Sequence, residues 1–170
     1  MPKFVHKWKH NGVVVTFSWL DSADVRPDRV YAFVFTSDRK MLLVTDPKWA
    51  PACWLPGGGI EDGESPEQAL ARELCEEANA TVHQLAKIGT QFADSSTGQR
   101  SYHAFYWCRI TLAKGFSPKH EITERHLVAP DDFLDRLFWG RKDPKAPILL
   151  ERALEIDQSY ESGGVSTPSD

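Results

Sequence analysis

The chain has 170 residues, a net charge of −4, and apolar and charged fractions of 41% and 26%, which predicts one globular domain over 1–170. The acidic balance argues against a general nucleic-acid binder, because such proteins carry a basic excess that neutralises phosphates. No apolar run is long enough to span a membrane. Three widely spaced cysteines without a C-x-x-C pair favour reduced thiols in a cytoplasmic protein.

The N-terminal segment, residues 1–20, predicts a β-hairpin. Two strand-forming runs, Phe4–Lys9 and Val13–Trp19, flank the tripeptide His10-Asn11-Gly12. Asn-Gly between such runs is a strong signal for a tight hairpin turn. The polar stretch Asp21–Asp28 follows and is expected to connect the hairpin to the rest of the domain.

The rest of the chain predicts a mixture of strands and helices. Strands are expected where apolar and β-branched residues cluster: Val30–Thr36, Met41–Thr45, Cys53–Leu55, Val82–Ala93 and Ser101–Leu112. Helices are expected over Pro66–Ala78, Pro130–Phe138 and Pro147–Tyr160. The segment Pro56–Gly59 indicates a loop, and the polar tail 162–170 is expected to fray. This pattern indicates an α/β (α+β) domain in which helices pack on a sheet.

The helix predicted over Pro66–Ala78 has a well-defined start. Ser65 can cap it, Pro66 suits its first position, and Gln68 can complete a capping box. On a helical wheel the apolar arc consists of Leu70, Ala71, Leu74, Cys75 and Ala78. Arg72 and three glutamates fill the opposite arc, which we expect to face away from the sheet.

The glutamates Glu73, Glu76 and Glu77 are spaced i, i+3, i+4, so their carboxylates converge within one turn. A hard divalent cation such as Mg²⁺ would relieve their repulsion, because it takes oxygen ligands. Taken alone, the helix would be interpreted as a solvated acidic face with an Arg72–Glu76 pair. The glycines at 57–59 just upstream favour a ligand site, since glycine permits close backbone approach and a helix N-terminus attracts anions.

This constellation resembles the signature of the Nudix hydrolases, G-x5-E-x7-R-E-U-x-E-E-x-G-U, where U is a bulky aliphatic residue. Here Gly58 and Glu64 precede Arg72-Glu73-Leu74-Cys75-Glu76-Glu77 at the same spacing. Asn79 and Ala80 depart from the last two positions. Asn is the next-best residue after glycine for a left-handed helix cap, so the departure affects the helix end and leaves the chemistry untouched.

The resemblance implies the Nudix fold, a mixed β-sheet sandwiched between helices, with a core over residues 30–160 and the N-terminal hairpin as an extra element. It also implies Mg²⁺- or Mn²⁺-dependent hydrolysis of a pyrophosphate bond in a nucleoside diphosphate linked to another moiety. A homodimer is plausible for such a protein. No residue of the chain selects among nucleoside triphosphates, ADP-ribose, nucleotide sugars, dinucleotides and coenzyme A.

Carried onto this chain, the family pattern gives each signature residue a role. Glu73, Glu76 and Glu77 would bind the metal together with the Gly58 carbonyl. Glu64 would support the site, and Arg72 would pair with a glutamate and hold it in position.

The general base and the substrate contacts stay open. The base would be Glu73, or else Glu121 or Glu124 in the polar loop 119–125. Arg109 could contact a phosphate, and Trp54 could stack on a base.

Two other functions are possible. A nucleotide-binding sensor on the same scaffold would be expected to have lost signature carboxylates, whereas all of them are present here. An isoprenoid-diphosphate isomerase would want a reactive cysteine in the pocket, and Cys53 is the candidate.

Overall fold

The computed structural model describes residues 4–20, 25–116 and 124–162. A mixed eight-stranded sheet organises this part of the chain. The strands are β1 (Val5–His10), β2 (Val13–Leu20), β3 (Arg29–Phe35), β4 (Met41–Thr45), β5 (Gly57–Gly59), β6 (Ala80–Ser95), β7 (Arg100–Leu112) and β8 (Glu124–Val128). The helices are α1 (Pro66–Ala78), α2 (Pro130–Arg136) and α3 (Ala146–Ser162). The strand order is β1-β2-β6-β7-β3-β4-β8, with β5 paired to β3.

The predicted N-terminal hairpin is confirmed. Asn11 and Gly12 both have positive φ angles, 47° and 79°, as a two-residue hairpin turn of type I′ requires. The second strand, β2, pairs antiparallel with β6. The hairpin therefore continues the main sheet and places its side chains on the same two faces.

The helices cover both faces of this sheet, which confirms the predicted fold class. One cluster of buried side chains joins the sheet to α1 through Leu70 and Leu74. The other joins the opposite face to α2 and α3 through Phe133 and Leu149. Residues of β7 alternate between the two clusters, as the period of a strand requires.

Three segments differ from the sequence-based expectation. Residues 53–55, expected as a strand, form only isolated bridges, from Trp54 to Val44 and from Cys53 to Leu137. The glycines 57–59 form the short strand β5 on β3 where a loop was expected. The strand β8 was not predicted, because its sequence Glu-Arg-His-Leu-Val is mostly polar; it forms by antiparallel pairing with β4.

The predicted helices all form, and α1 has the expected bounds. Within the described ranges, none of the helices has the length and apolar character needed to cross a membrane. Most of the expected C-terminal tail lies outside the described residues, as do the first four residues of the connector 21–28.

Candidate functional site

The two ends of α1 are fixed by local hydrogen bonds. The Ser65 hydroxyl accepts from the Gln68 N–H (3.2 Å), and the Gln68 side chain accepts from the Ser65 N–H (2.9 Å). At the other end the backbone of Asn79 has the left-handed helical conformation, with φ 52° and ψ 46°. The capping box and the substitution of asparagine for glycine are thus confirmed, and both ends of the acidic helix are defined.

The orientation expected for α1 is confirmed for Leu70, Leu74 and Ala78 but was wrong for the rest of the two arcs. Ala71 and Cys75 are exposed, whereas Glu73 and Glu77 are partly buried. The helix rests on the sheet through Leu70, Leu74 and Ala78 and is rotated so that two of its glutamates meet β5. The physical reason is that the backbone of glycine leaves space for a carboxylate at this contact.

The glycines of β5 and the glutamates of α1 are in direct contact. The Gly57 N–H donates a hydrogen bond of 2.8 Å to Glu77 Oε2. A side chain at Gly58 would overlap the carboxylate of Glu73. Glycine at position 58 therefore allows the Glu73 carboxylate to approach this strand so closely.

Arg72 links the acidic groups on either side of it. Its Nε donates to Glu64 Oε1 (2.8 Å), and its Nη1 donates to Glu73 Oε1 (3.0 Å) and Glu76 Oε2 (3.3 Å). Its Nη2 donates to the Gly59 carbonyl (2.9 Å). A planar guanidinium is suited to this task, because its donors point in fixed directions. The hydrogen bonds from Arg72 also hold the pKa of Glu64 below its usual value.

Burial is the main influence on the pKa values of Glu73 and Glu77. Burial is the largest cause that raises the pKa of Glu77 to about 8; the neighbouring Glu73 and Glu76 act in the same direction, and the hydrogen bond from Gly57 opposes them. Burial likewise raises the pKa of Glu73, although Arg72 opposes the change. Buried carboxylates that repel one another are stabilised either by protonation or by a cation.

The fit of this site to a metal ion rests on its donors, which are all hard oxygens of the kind that Mg²⁺ prefers. In the described ranges, no group of three or more His, Cys, Asp and Glu side chains is arranged to hold a metal ion. Oxygens of Glu64, Glu73 and Glu76 are instead paired with Arg72. A cation would have to take over some of these contacts.

A cavity of about 440 Å³ opens beside the acidic helix. Gly57 and Glu77 lie on its wall, and Trp54, the expected base-stacking residue, also lines it. Its other walls are the N-terminal hairpin, the sheet face beneath α2 and α3, and the segment between these helices. The acidic groups and a space for an organic ligand are therefore adjacent.

Arg109, the expected phosphate contact, is placed elsewhere. It is not among the described residues that line the cavity. Its Nη2 donates to Asp157 Oδ1 (2.7 Å) and to Glu161 Oε1 (3.0 Å) on α3. The pairing with a fully buried carboxylate engages Arg109 and joins α3 to β7.

The other sequence-based candidates have mixed outcomes. Glu124 begins strand β8 and so is not in a loop; its side chain is 68% exposed and 3.5 Å from His126. Glu121 lies outside the described residues. Cys53 is buried in the core and has its Sγ 3.8 Å from Thr45 Oγ1, so the isomerase alternative gains no support from it.

Several cavity residues were missed by the sequence-based reasoning. They are polar side chains in the wall: Arg29, Gln91, His103, Asp143 and Lys145. They come from three strands and one loop that are far apart in the sequence. No local pattern in the sequence could have brought them together.

Comparison with known proteins agrees with the signature and the fold. A model of the NUDIX domain matches residues 25–149. The chain is similar to an ADP-ribose pyrophosphatase of Bacillus subtilis, with 26% identity over 138 residues, 79% of this chain and 65% of that protein. A segment of 35 residues is 57% identical to an RNA pyrophosphohydrolase of Vibrio cholerae, over 21% of this chain and 20% of that one. The chain thus spans less than two thirds of either curated relative.

Solved structures share the fold. A pyrophosphohydrolase of Bacillus subtilis superposes with a TM-score of 0.68 and 22% identity, over 95% of this chain and 99% of that one. The NUDIX domain of a Shewanella oneidensis protein, solved with ADP-ribose, superposes with a TM-score of 0.58 and 23% identity, over 79% and 90%. With the domain model matching most of its length, this chain belongs to the Nudix family.

Proposed function

We propose that this protein hydrolyses a pyrophosphate bond in a nucleoside diphosphate derivative with the help of Mg²⁺ or Mn²⁺. One observation carries the proposal: Glu73 and Glu77 contact the backbone of β5 at the edge of a cavity. Members of the family generally use divalent cations, and this chain retains every charged residue of the signature.

The cation would be held by Glu73, Glu76 and Glu77, with the Gly58 carbonyl as a further ligand. When bound, it neutralises pyrophosphate oxygens and lowers the pKa of the attacking water. Arg72 keeps the glutamates in place through its contacts with Glu73, Glu76 and Glu64.

The water must lose its proton to a carboxylate. Glu73 is supported as this base by its position against β5 and by a pKa that burial raises above the usual value, since a stronger base accepts a proton more readily. Glu121 and Glu124 are the alternatives. The large exposed fraction of the Glu124 side chain argues against that residue.

A substrate screen tests the proposal. Purified protein is incubated with Mg²⁺ and nucleoside triphosphates, nucleotide sugars and dinucleotides, and products are identified by chromatography. ADP-ribose and RNA with a 5′-triphosphate are included because similar proteins are named for acting on ADP-ribose and RNA.

We expect hydrolysis of at least one substrate, and its near-complete loss in Glu76→Gln and Glu77→Gln. The exposed Glu151 on α3 provides the control substitution Glu151→Gln, which should retain full activity. Turnover at the wild-type rate in both signature variants would contradict the proposal.

The cellular location and the oligomeric state of the protein are also proposals. Cys53, Cys75 and Cys108 are free thiols, which supports a cytoplasmic location; fluorescence microscopy of a tagged protein tests it. A homodimer stays a prediction, and light scattering at several concentrations is the measurement that decides it.

A further inference from the structure

The floor of the cavity contains a row of side chains that crosses three neighbouring strands. Arg29 on β3 is paired with His103 on β7, and His103 with Gln91 on β6. Adjacent strands lie about 4.8 Å apart, so Arg29 and Gln91 are separated by about 10 Å. A nucleotide can lie along this row with its phosphates at one end and its base at the other.

The Arg29 end of the row is the charged end. The Arg29 Nε donates a hydrogen bond of 2.7 Å to the Tyr31 hydroxyl, which is the main cause of the raised pKa of Arg29, and the nearby carboxylates of Glu73 and Glu77 act in the same direction. Phosphates placed here would meet both a guanidinium and the proposed cation site, and both favour anions.

The Gln91 end is polar but carries little net charge. Lys145 and Asp143 are 4% and 5% exposed and form an ion pair with each other, so the charge of the lysine is compensated. Burial lowers the pKa of His103 to about 4, which keeps its ring neutral at pH 7. An uncharged group with hydrogen-bonding atoms suits this end better than a phosphate does.

Gln91 itself has an unused hydrogen-bonding atom. The residue is 4% exposed and lines the cavity, and among the described residues its Oε1 has no hydrogen-bond partner. Trp54 Nε1, in the wall of the same cavity, also lacks one. Buried polar atoms are normally paired, so unpaired ones on residues that line a cavity point to a ligand that supplies the partners.

Aromatic rings provide the walls of the cavity. The ring of Trp54 lies 4.8 Å from that of Phe138 and 6.1 Å from that of Trp49. The N-terminal hairpin adds Trp8 and Phe17. Flat walls of this kind favour a planar heteroaromatic ligand, because stacking on aromatic rings stabilises its binding.

We propose that this cavity binds the nucleobase of the substrate and that the Gln91 carboxamide hydrogen-bonds to the polar edge of the base. The Trp54 indole N–H would supply a second hydrogen bond, and the hairpin would complete the wall. The inference rests on the proposed hydrolysis for the identity of the rest of the substrate, and it adds which side chains of this chain contact the base.

Binding without metal tests the subsite separately from catalysis. Tryptophan fluorescence is titrated in EDTA with AMP, GMP, CMP and UMP, and with ribose 5-phosphate as the probe without a base. At least one nucleotide should bind more tightly than ribose 5-phosphate. Gln91→Met should lower the affinity for that nucleotide about tenfold, because the carboxamide is removed. The affinity for ribose 5-phosphate should stay unchanged.

Two further variants complete the binding test. Trp54→Phe keeps an aromatic ring and removes the N–H, and it should also lower the affinity for the nucleotide. This variant serves as the test if Gln91→Met does not fold. Gln158→Met, at an exposed position on α3, is the matched control. The proposal is overturned if the folded variants bind the nucleotide like wild type, or if ribose 5-phosphate binds as tightly as every nucleotide.

Kinetics separate this proposal from the proposed function. For a hydrolysed nucleotide, Gln91→Met should raise KM about tenfold with kcat within about twofold of wild type. Nucleotide binding that depends on Gln91 without any hydrolysis would overturn the proposed function and leave the subsite standing. Hydrolysis of diphosphates irrespective of a base would overturn the subsite and leave the function standing.

Discussion

Gly57 and Glu77 are joined by a hydrogen bond of 2.8 Å from the backbone N–H of the glycine to the carboxylate of the glutamate. The bond ties the acidic helix α1 to strand β5 at the edge of the cavity. It also explains why Glu77 is partly buried on the sheet side of its helix, although its side chain is acidic.

The three consecutive glycines of β5 should respond differently to alanine. Gly57 has φ 138°, and a side chain there would overlap the Val30 backbone, whereas at Gly58 it would displace the Glu73 carboxylate and at Gly59 it meets nothing. We expect Gly57→Ala to lose about 2 kcal/mol or more of unfolding free energy. Gly58→Ala should remain folded with much lower activity, and Gly59→Ala should resemble wild type. Urea unfolding and the hydrolysis assay measure the two effects; equal behaviour of all three variants would contradict the geometry.

Glu77 should make the metal-free protein less stable as the pH rises. Its pKa is about 8 in the fold against the ordinary 4.5, so the folded state binds the proton more tightly than the unfolded state. The stabilisation is complete below pH 4.5 and is lost as the pH rises towards 8. Thermal unfolding in EDTA at pH 5 to 9 should show the Tm of wild type falling relative to that of Glu77→Gln. A constant difference between the two proteins would refute the raised pKa.

Arg72 should be irreplaceable by lysine. Its guanidinium contacts Glu64, Glu73, Glu76 and the Gly59 carbonyl at once, and an ammonium group cannot reproduce this planar set of donors. We expect Arg72→Lys to lose tenfold or more of kcat/KM, roughly the cost of misplacing catalytic groups. Arg152→Lys is the control, since Arg152 pairs with Glu155 in an exposed position. Full activity of Arg72→Lys would show that the contacts are dispensable.

The identity of the base can be decided by comparing Glu73→Gln, Glu121→Gln and Glu124→Gln. Loss of a general base costs about 10²–10⁴-fold in rate. We expect Glu73→Gln to show a loss of this size in kcat, and Glu124→Gln to change little because its side chain is 68% exposed. A loss confined to Glu121→Gln would instead identify that residue.

Arg109 should matter for stability and not for substrate binding. Its partner Asp157 is fully buried and also accepts a hydrogen bond of 3.2 Å from Trp107 Nε1. Arg109→Ala would leave that carboxylate without its cation, at a cost of about 3 kcal/mol. Denaturant unfolding should detect this loss, while KM of the folded variant stays unchanged. A raised KM at wild-type stability would restore Arg109 as a substrate contact.

Local signals in the sequence were sufficient to predict α1 and the N-terminal hairpin. Ser65, Gln68 and Asn79 determine where α1 begins and ends through hydrogen bonds to near neighbours, and Asn11-Gly12 determines the hairpin turn. The buried strands β3, β4 and β7 were predictable because their apolar runs have no other stable location.

Only the tertiary structure decided which face of α1 meets the sheet and what surrounds the cavity. Glu77 is partly buried because the Gly57 N–H, twenty residues earlier, donates a hydrogen bond to its carboxylate. Arg29, His103 and Gln91 come together because their strands pair in one register, although 74 residues separate Arg29 from His103 in the chain. The sequence by itself determined the bounds of the acidic helix and the carboxylates that it carries, since both depend on residues close together in the chain. Strand pairing determined the cavity, because residues so far apart meet only when the sheet has formed.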